Sequence, residues 1–526
     1  VDYIFTNGHV LNLSTGTWES KSLLTHNGKI ACIDDLDNCR KTAPSAYEII
    51  DLKGKLLLPA FMDTHTHFVE YAKKHLFVSL SKCRSLDAIH QSLTRYRDNL
   101  PYPASWILGD GWDRNLLDNP LALNRHFLDQ VFPDMPVVLT SKDYHCKLCN
   151  TKALKLAGIN ARTADPYAGR IERDALGFPT GMLYETAGEL VTPYIKTASD
   201  TEIVNAIKQS IRDCYKMGLI GFHSLETLNS RNLLLQAYIE GMQFRLIWHF
   251  QTDELEQVSH ERRDTYPPKT HYKTWGMKIF GDGTLGSQTA GMFDAYPDNP
   301  DNLGLLRYSD EELLSLILFA AKQGFPCSIH AIGNRCVYQA LAAIRESRTK
   351  HGYAALKHRI EHVQAIRDKD ILLMKQLEVC AAVQPLHLAY DVPMIDKLWF
   401  DIQDQVYSFN SMLKQGVPLA FGSDSPIESI NPFLGIYSAI ERRPALNPDL
   451  PAFRPEESIS PMQAIHGYTL GAAATSQDED VRGSLAVGKL ADLLVLEDFR
   501  FSAPEFWLEV GSRLTMIQGE IVHWDL

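Results

Sequence analysis

His65 and His67 close the run Lys55-Leu-Leu-Leu-Pro-Ala-Phe-Met-Asp-Thr-His-Thr-His67, where a buried apolar strand turns polar within a few residues. Spaced i, i+2, both imidazoles leave the same face of an extended chain and can converge on one metal ion. Alone, such a pair reads as two half-exposed histidines at a strand end. Lys278, His330, His362 and Asp424 change that reading, because each stands in or at the end of another apolar run. Each has its own plain explanation: a core histidine for His330 or His362, a snorkelling stem for Lys278, a helix N-cap before Pro426 for Asp424. Four histidines, a lysine and an aspartate at one mouth together indicate a metal site.

The elements that must position these groups are strands separated by amphipathic helical stretches. Strands are expected at Leu56–Met62, Leu219–His223, Phe244–Phe250, Gly276–Phe280, Pro326–Ala331, Arg359–Val363, Val379–Gln384 and Pro418–Gly422. Eight βα units argue for an α/β chain built on a (β/α)8 TIM barrel, whose working residues sit at the C-terminal strand ends. The first and second strands are ~155 residues apart, far beyond a barrel crossover, so residues 70–200 are expected to form an inserted α/β subdomain after strand one. Within it, Trp106–Trp112 and Met135–Thr140 read as strands, and Leu86–Arg97 and Thr151–Ala157 as helices. Residues 1–58 read as short β segments with turns at Asn7-Gly8 and Asn27-Gly28, and residues 476–526 repeat that texture. Two terminal β pieces without cores of their own are expected to pair into one small β-sandwich, with the barrel occupying 59–475.

Composition narrows the partners. The 526 residues carry a net charge of −12 with no basic run, which gives nucleic acid or an anionic membrane no electrostatic support. Nine scattered cysteines suggest reduced thiols in a cytoplasmic protein. Cys146-Lys-Leu-Cys149 lacks a second pair at zinc-knuckle spacing. No signal-peptide pattern opens the chain and no apolar run is long enough to span a bilayer, so neither export nor membrane insertion is expected.

Several motifs resemble the amidohydrolase superfamily of metal-dependent hydrolases, and within it the branch of N-substituted formamide deformylase-like proteins. They are Leu58-Pro-Ala-Phe-Met-Asp-Thr-His-Thr-His67, Lys278-Ile-Phe-Gly-Asp-Gly-Thr-Leu-Gly-Ser287, Ser328-Ile-His-Ala-Ile-Gly333, Arg359-Ile-Glu-His-Val-Gln364, Phe421-Gly-Ser-Asp-Ser-Pro426 and Gly483-Ser-Leu-Ala-Val-Gly-Lys-Leu-Ala-Asp-Leu-Leu-Val495. The resemblance implies Zn2+ ligation by His65 and His67, Lys278 as a bridging carbamate, and His330 and His362 on a second ion. It makes Asp424 both a ligand and the catalytic base. Charge supports the lysine assignment separately: an ammonium beside a dication in a barrel interior suffers desolvation and like-charge repulsion, so Lys278 should be neutral or an anionic carbamate. A single-ion site with an unmodified lysine is the alternative.

Three positions depart from the branch pattern. Tyr144, in Ser141-Lys-Asp-Tyr-His145, replaces a glycine; Asn334 follows His-Ala-Ile-Gly where Asp is common; Gln288 stands where Arg often follows Gly-Ser. None removes a ligand, and all bear on the substrate. Trp112, Tyr144, His145, Gln384 and His387 are the candidate substrate contacts, with core packing an equal reading for Trp112. The expected reaction is hydrolysis of a non-peptide C–N bond in a small amide or formamide by water activated at one or two zinc ions. A homodimer is the largest assembly anticipated. Competing readings are deamination of a ring amidine, a silent regulatory scaffold, and a Schiff-base lyase using Lys278. Glu361, next to His362, should by strand alternation point away from the ligand face, which counts against deamination.

Overall fold

Eight apolar runs form one parallel sheet in this computed structural model. The structure describes residues 1–100, 105–114, 117–119, 122–141, 145–167, 169–196, 198–260, 272–297, 299–445, 447–497, 501 and 503–526. The strands are β1 (Phe61–Thr66), β2 (Leu219–Ser224), β3 (Arg245–Gln251), β4 (Tyr272–Phe280), β5 (Cys327–Ala331), β6 (Arg359–His362), β7 (Cys380–Val383) and β8 (Leu419–Phe421), each paired with the next in chain order. All but the ends of β3, β4 and β7 are buried throughout, as expected for parallel strands covered on both faces. The helices between them start and stop on legible signals. Asp310–Lys322 opens with a Ser309/Glu312 capping box, and Asn334–His351 stops at Gly352, which takes a φ of 80°.

The ring closes between β8 and β1, where backbone and side chain share the work. Thr66 and Ser425 form a parallel bridge, Asp424 N–H donates to His65 O at 2.8 Å, and His67 N–H donates to Ser425 O at 2.7 Å. Below them the Asp63 carboxylate accepts the His65 N–H at 2.9 Å and the Ser423 N–H at 3.1 Å. Gly422 makes this closeness available, because a Cβ there would lie 2.6 Å from His65 N and 3.0 Å from Asp63 Oδ1.

One strand differs from the expectation. The run Leu56–Met62 is two strands in two sheets: Leu56–Pro59 pairs with His9–Asn12 and Leu493–Leu496, and only Phe61–Thr66 belongs to the barrel. The break falls at Ala60, whose N–H donates to Asp492 O at 3.1 Å, while Phe61 N–H already reaches Gly218 O at 2.9 Å. Both halves are fully buried, so apolar content alone could not divide them. Leu56–Pro59 lies in a six-stranded sheet ordered Glu520–Trp524, Leu514–Ile517, Leu493–Leu496, Leu56–Pro59, His9–Asn12, Thr17–Glu19, so both termini build it. Its Val10, Leu57, Leu493, Val495 and Met516 share a core with Phe5, Leu23 and Ile50, residues in or beside the four-stranded sheet of Lys29–Asp34, Ser22–His26, Tyr3–Thr6 and Glu48–Asp51. This is the β-sandwich. Asp492 ties it to the barrel by a bidentate pair with the buried Arg245 of β3, both N–O distances 2.6 Å.

Val69–Ser210 is a second compact unit. Its sheet runs Gly169–Arg173, Pro179–Glu185, Cys146–Cys149, Val137–Ser141, Ile107–Trp112, Phe77–Ser79, and its helices include Leu86–Asp98, Arg125–Val131 and Thr151–Leu156, with side-chain N-caps from Ser85, Asn124 and Asn150. Among the described residues, no helix is long and apolar enough to cross a membrane.

Candidate metal centre

At the C-terminal end of the barrel, imidazoles from three strands and the start of a helix gather around one carboxylate. His65 Nε2 and His67 Nε2 each lie 3.3 Å from Asp424 Oδ1, and His387 Nε2 lies 3.7 Å from Asp424 Oδ2. His362 stands among them, its ring centroid 4.9 Å from that of His65, 4.4 Å from His330 and 5.9 Å from His387. The donor atoms of His65, His67 and Asp424 form one group within 4.8 Å of one another; those of His362, His387 and Asp424 form a second. Asp424 therefore stands between two candidate ion positions. The backbone is left-handed at both Asp424 (φ 56°) and His362 (φ 75°), a local cost typical of residues whose side chains are aimed by function.

Burial keeps His65, His330 and His362 neutral, the form that ligates. Desolvation and, after it, the Lys278 charge hold His65 well below the usual histidine value and push His330 down to about 3; desolvation and His330 do the same for His362. For Asp424, burial opposes ionisation, but the hydrogen bond from His67 and the charges of His387, His67 and Lys278 outweigh it and leave the carboxyl below its usual range. Burial also lowers Lys278 to about 8 against the pull of Glu361 and Asp424, so this lysine offers a free amine at mildly alkaline pH.

Behind these groups stand residues that carried no role in the sequence reading. Glu361 was expected to face away, yet its Oε2 lies 2.7 Å from His65 Nδ1. It is the inward-pointing residue of β6 together with Arg359, and the left-handed backbone of His362 breaks the alternation and turns the next side chain inward as well. Since Glu361 is engaged by His65 and Arg359, its inward position does not by itself make it a proton donor to substrate. Asp282, in the loop after β4, accepts N–H bonds from Gly291, Ile332 and Gly333, and its Oδ1 lies 3.4 Å from His330 Nε2. His330 Nε2 also reaches Gly283 O at 3.1 Å, which makes Nε2 the protonated nitrogen and leaves Nδ1 the lone pair. Gln364 donates to His387 Nδ1 at 3.3 Å. Asp63 and Gln364 lie inside the quoted motifs; being neither histidine nor strand-terminal, they gave no separate signal.

The remaining candidates divide. Gln384 is buried at the end of β7, donates to Ala382 O at 3.2 Å and lies beside His362. In the second unit, Trp112 is 2% exposed within the apolar core and donates its indole N–H to Leu139 O, which is the packing reading. His145 is exposed there, with Nδ1 3.0 Å from Glu185 Oε2. Tyr144 lies outside the described residues. Asn334 accepts the Phe293 N–H and donates to Gln405, so it ties the start of the helix after β5 to the loop after β4 and to the turn at Gln403–Gln405.

The donor set fits a divalent metal. It offers the neutral imidazoles of His65, His330 and His362 and an ionised carboxylate, and His362 Nδ1 is buried with no hydrogen-bond partner. Such an orphan costs ~1–3 kcal/mol unless something occupies the space before it. A parallel eight-stranded barrel with histidines and an aspartate at its C-terminal rim defines a metal-dependent hydrolase, and the chain belongs to the amidohydrolase family, whose model matches residues 48–523. It is 33% identical over 490 residues to the Bacillus subtilis (strain 168) protein named as an amidohydrolase, YtcJ, covering 90% of each chain. It is 27% identical over 515 residues to the N-substituted formamide deformylase of Arthrobacter pascens, covering 94% of this chain and 93% of that one. A crystal structure of a metal-dependent hydrolase from Pyrococcus furiosus superposes with a TM-score of 0.74 at 25% identity, covering 95% of this chain and all of the other.

Proposed function

We propose that this enzyme is a zinc-dependent hydrolase of a non-peptide C–N bond in a small amide or N-substituted formamide. The observation that carries the proposal is the convergence of two histidine groups on the shared carboxylate of Asp424. In this reading His65, His67, His330, His362, Asp424 and a carbamylated Lys278 would hold one or two ions. A bound zinc supplies an acidified water and polarises the carbonyl oxygen under attack. The protein's part is proton movement and orientation. Asp424, ionised at neutral pH, accepts a proton from the attacking water and passes it to the departing nitrogen, a transfer of the kind that contributes ~10²–10⁴-fold. His387, held at Nδ1 by Gln364, presents Nε2 beside Asp424 where substrate would lie, and Gln384 steadies His362 from behind. Resemblance to a formamide deformylase along nearly its full length supports the bond type. The nine free thiols support a reducing cytoplasm.

The test is hydrolysis of a panel of N-formyl amines, N-acyl amines and cyclic amides by zinc-loaded protein. Turnover of at least one amide class, with release of the free amine, is expected. Turnover confined to ring amidines with loss of ammonia would replace the proposal with deamination.

A further inference from the structure

We infer that Glu361 is a positioning residue that fixes the tautomer and orientation of His65, anchored by a buried polar chain crossing the barrel interior. The inference rests on the proposed metal centre and adds a residue to it. Glu361 is fully buried, and each of its oxygens has one neighbour: His65 Nδ1 at 2.7 Å from Oε2, and Arg359 Nε at 2.6 Å from Oε1. The second contact is a charge pair without hydrogen-bond alignment, since Arg359 gives its N–H groups elsewhere. Its Nε–H goes to Ser328 Oγ at 3.0 Å, Nη1 to His223 Nδ1 at 3.0 Å and Nη2 to Thr64 O at 2.8 Å.

An arginine has no acceptor, so each of these three bonds runs outward from the guanidinium. His223 Nδ1 must accept. Ser328 Oγ, which accepts from Arg359, also lies 2.8 Å from His249 Nδ1. His249 Nε2 lies 3.1 Å from His223 Nδ1, whose single lone pair Arg359 already engages, and His223 Nε2–H faces Thr475 Oγ1 at 3.5 Å. Arg359 is thereby pinned by β1, β2 and β5, and it holds Glu361 Oε1 at 2.6 Å with Oε2 turned to His65. Facing that carboxylate, neutral His65 carries its hydrogen on Nδ1, which leaves the Nε2 lone pair toward Asp424 and His67. Fixing a ligating imidazole through its far nitrogen is worth ~10–100-fold in metal affinity.

The experiment measures Zn2+ affinity by competition with a chromophoric chelator, the visible spectrum of the Co2+-loaded protein, and the thermal midpoint of each variant. Glu361→Leu removes the acceptor at similar bulk. Glu361→Gln keeps an acceptor oxygen, and Arg359→Met/Glu361→Leu removes both charges together should the single Leu variant fail to fold. Expected are a ~10–100-fold weaker Zn2+ affinity and an altered Co2+ spectrum for the Leu variants, with Gln rescuing affinity to within a few-fold. Folded Leu variants with parental affinity and spectrum would overturn the inference, as would a Gln variant as weak as Leu. If the parent binds no metal, or His65→Ala binds as tightly as the parent, the metal-centre reading itself fails, which separates the two outcomes.

Discussion

Lys278 should take up carbon dioxide with a pH dependence that an ordinary lysine cannot show. Burial brings its amine from 10.5 to about 8, and only the neutral amine attacks CO2, forming the carbamate and releasing a proton. Metal-free protein is the form to which this value applies. With a midpoint of about 8, the neutral fraction is ~3% at about pH 6.5 and ~75% at about pH 8.5, a ~25-fold rise that then flattens to under ~1.5-fold over the next unit. A lysine left at 10.5 would gain ~100-fold over the first interval and keep rising almost tenfold per unit. The assay is the initial rate of carbamate formation in metal-free protein at constant dissolved CO2, followed by the isotopically labelled carbonyl resonance, with Lys278→Ala as the blank. A rate that climbs tenfold per unit past about pH 9 would refute the burial argument. No labelled carbamate at any pH would refute the bridging role.

Asp424→Asn keeps the size and removes the charge, so kcat should fall by at least ~10²-fold with KM changed much less, provided metal content is measured on the same sample; turnover within a few-fold of the parent would pass the proton role to His387. Asp492→Ala strands Arg245 in the joint between barrel and sandwich and removes the acceptor of the Gln518 N–H, so unfolding in urea should show a loss of ~3–5 kcal/mol, and a loss below ~1 kcal/mol would contradict that joint. Burial opposes ionisation of Asp492, but Arg245 outweighs it and holds the carboxyl below its usual value. Its stabilisation is therefore present above the unfolded carboxylate pKa and is lost as pH falls through the lower folded value, a sensitivity Asp492→Asn should lack.

The barrel was legible because its strands are apolar runs ending in polar groups, and a parallel sheet covered on both faces writes that pattern directly into sequence. The same property hid the sheet change at Ala60, where apolar residues continue on both sides and only the hydrogen bonds of Ala60 and Phe61 record the step. Within the site, His65 and His67 were readable from spacing, and His330, His362 and Asp424 from their strand ends. Glu361 was misread because alternation presumes extended backbone, and His362 departs from it at a φ of 75°. Asp282 was beyond local pattern: Gly291 folds back to it within its own loop, and Ile332 and Gly333 reach it from beyond β5 only in the folded barrel. Trp112 shows the converse, an aromatic beside a suggestive Gly-Asp-Gly that the fold uses to fill a core.

Whether His65, His67, His330, His362, Lys278 and Asp424 hold catalytic metal is decided by elemental analysis of protein purified without chelators. About one to two zinc-like ions per chain are expected in the parent, with a substantial loss in His65→Ala/His67→Ala at unchanged fold. Well-folded parent protein that retains no divalent metal, even after reconstitution with zinc and bicarbonate, would contradict that expectation.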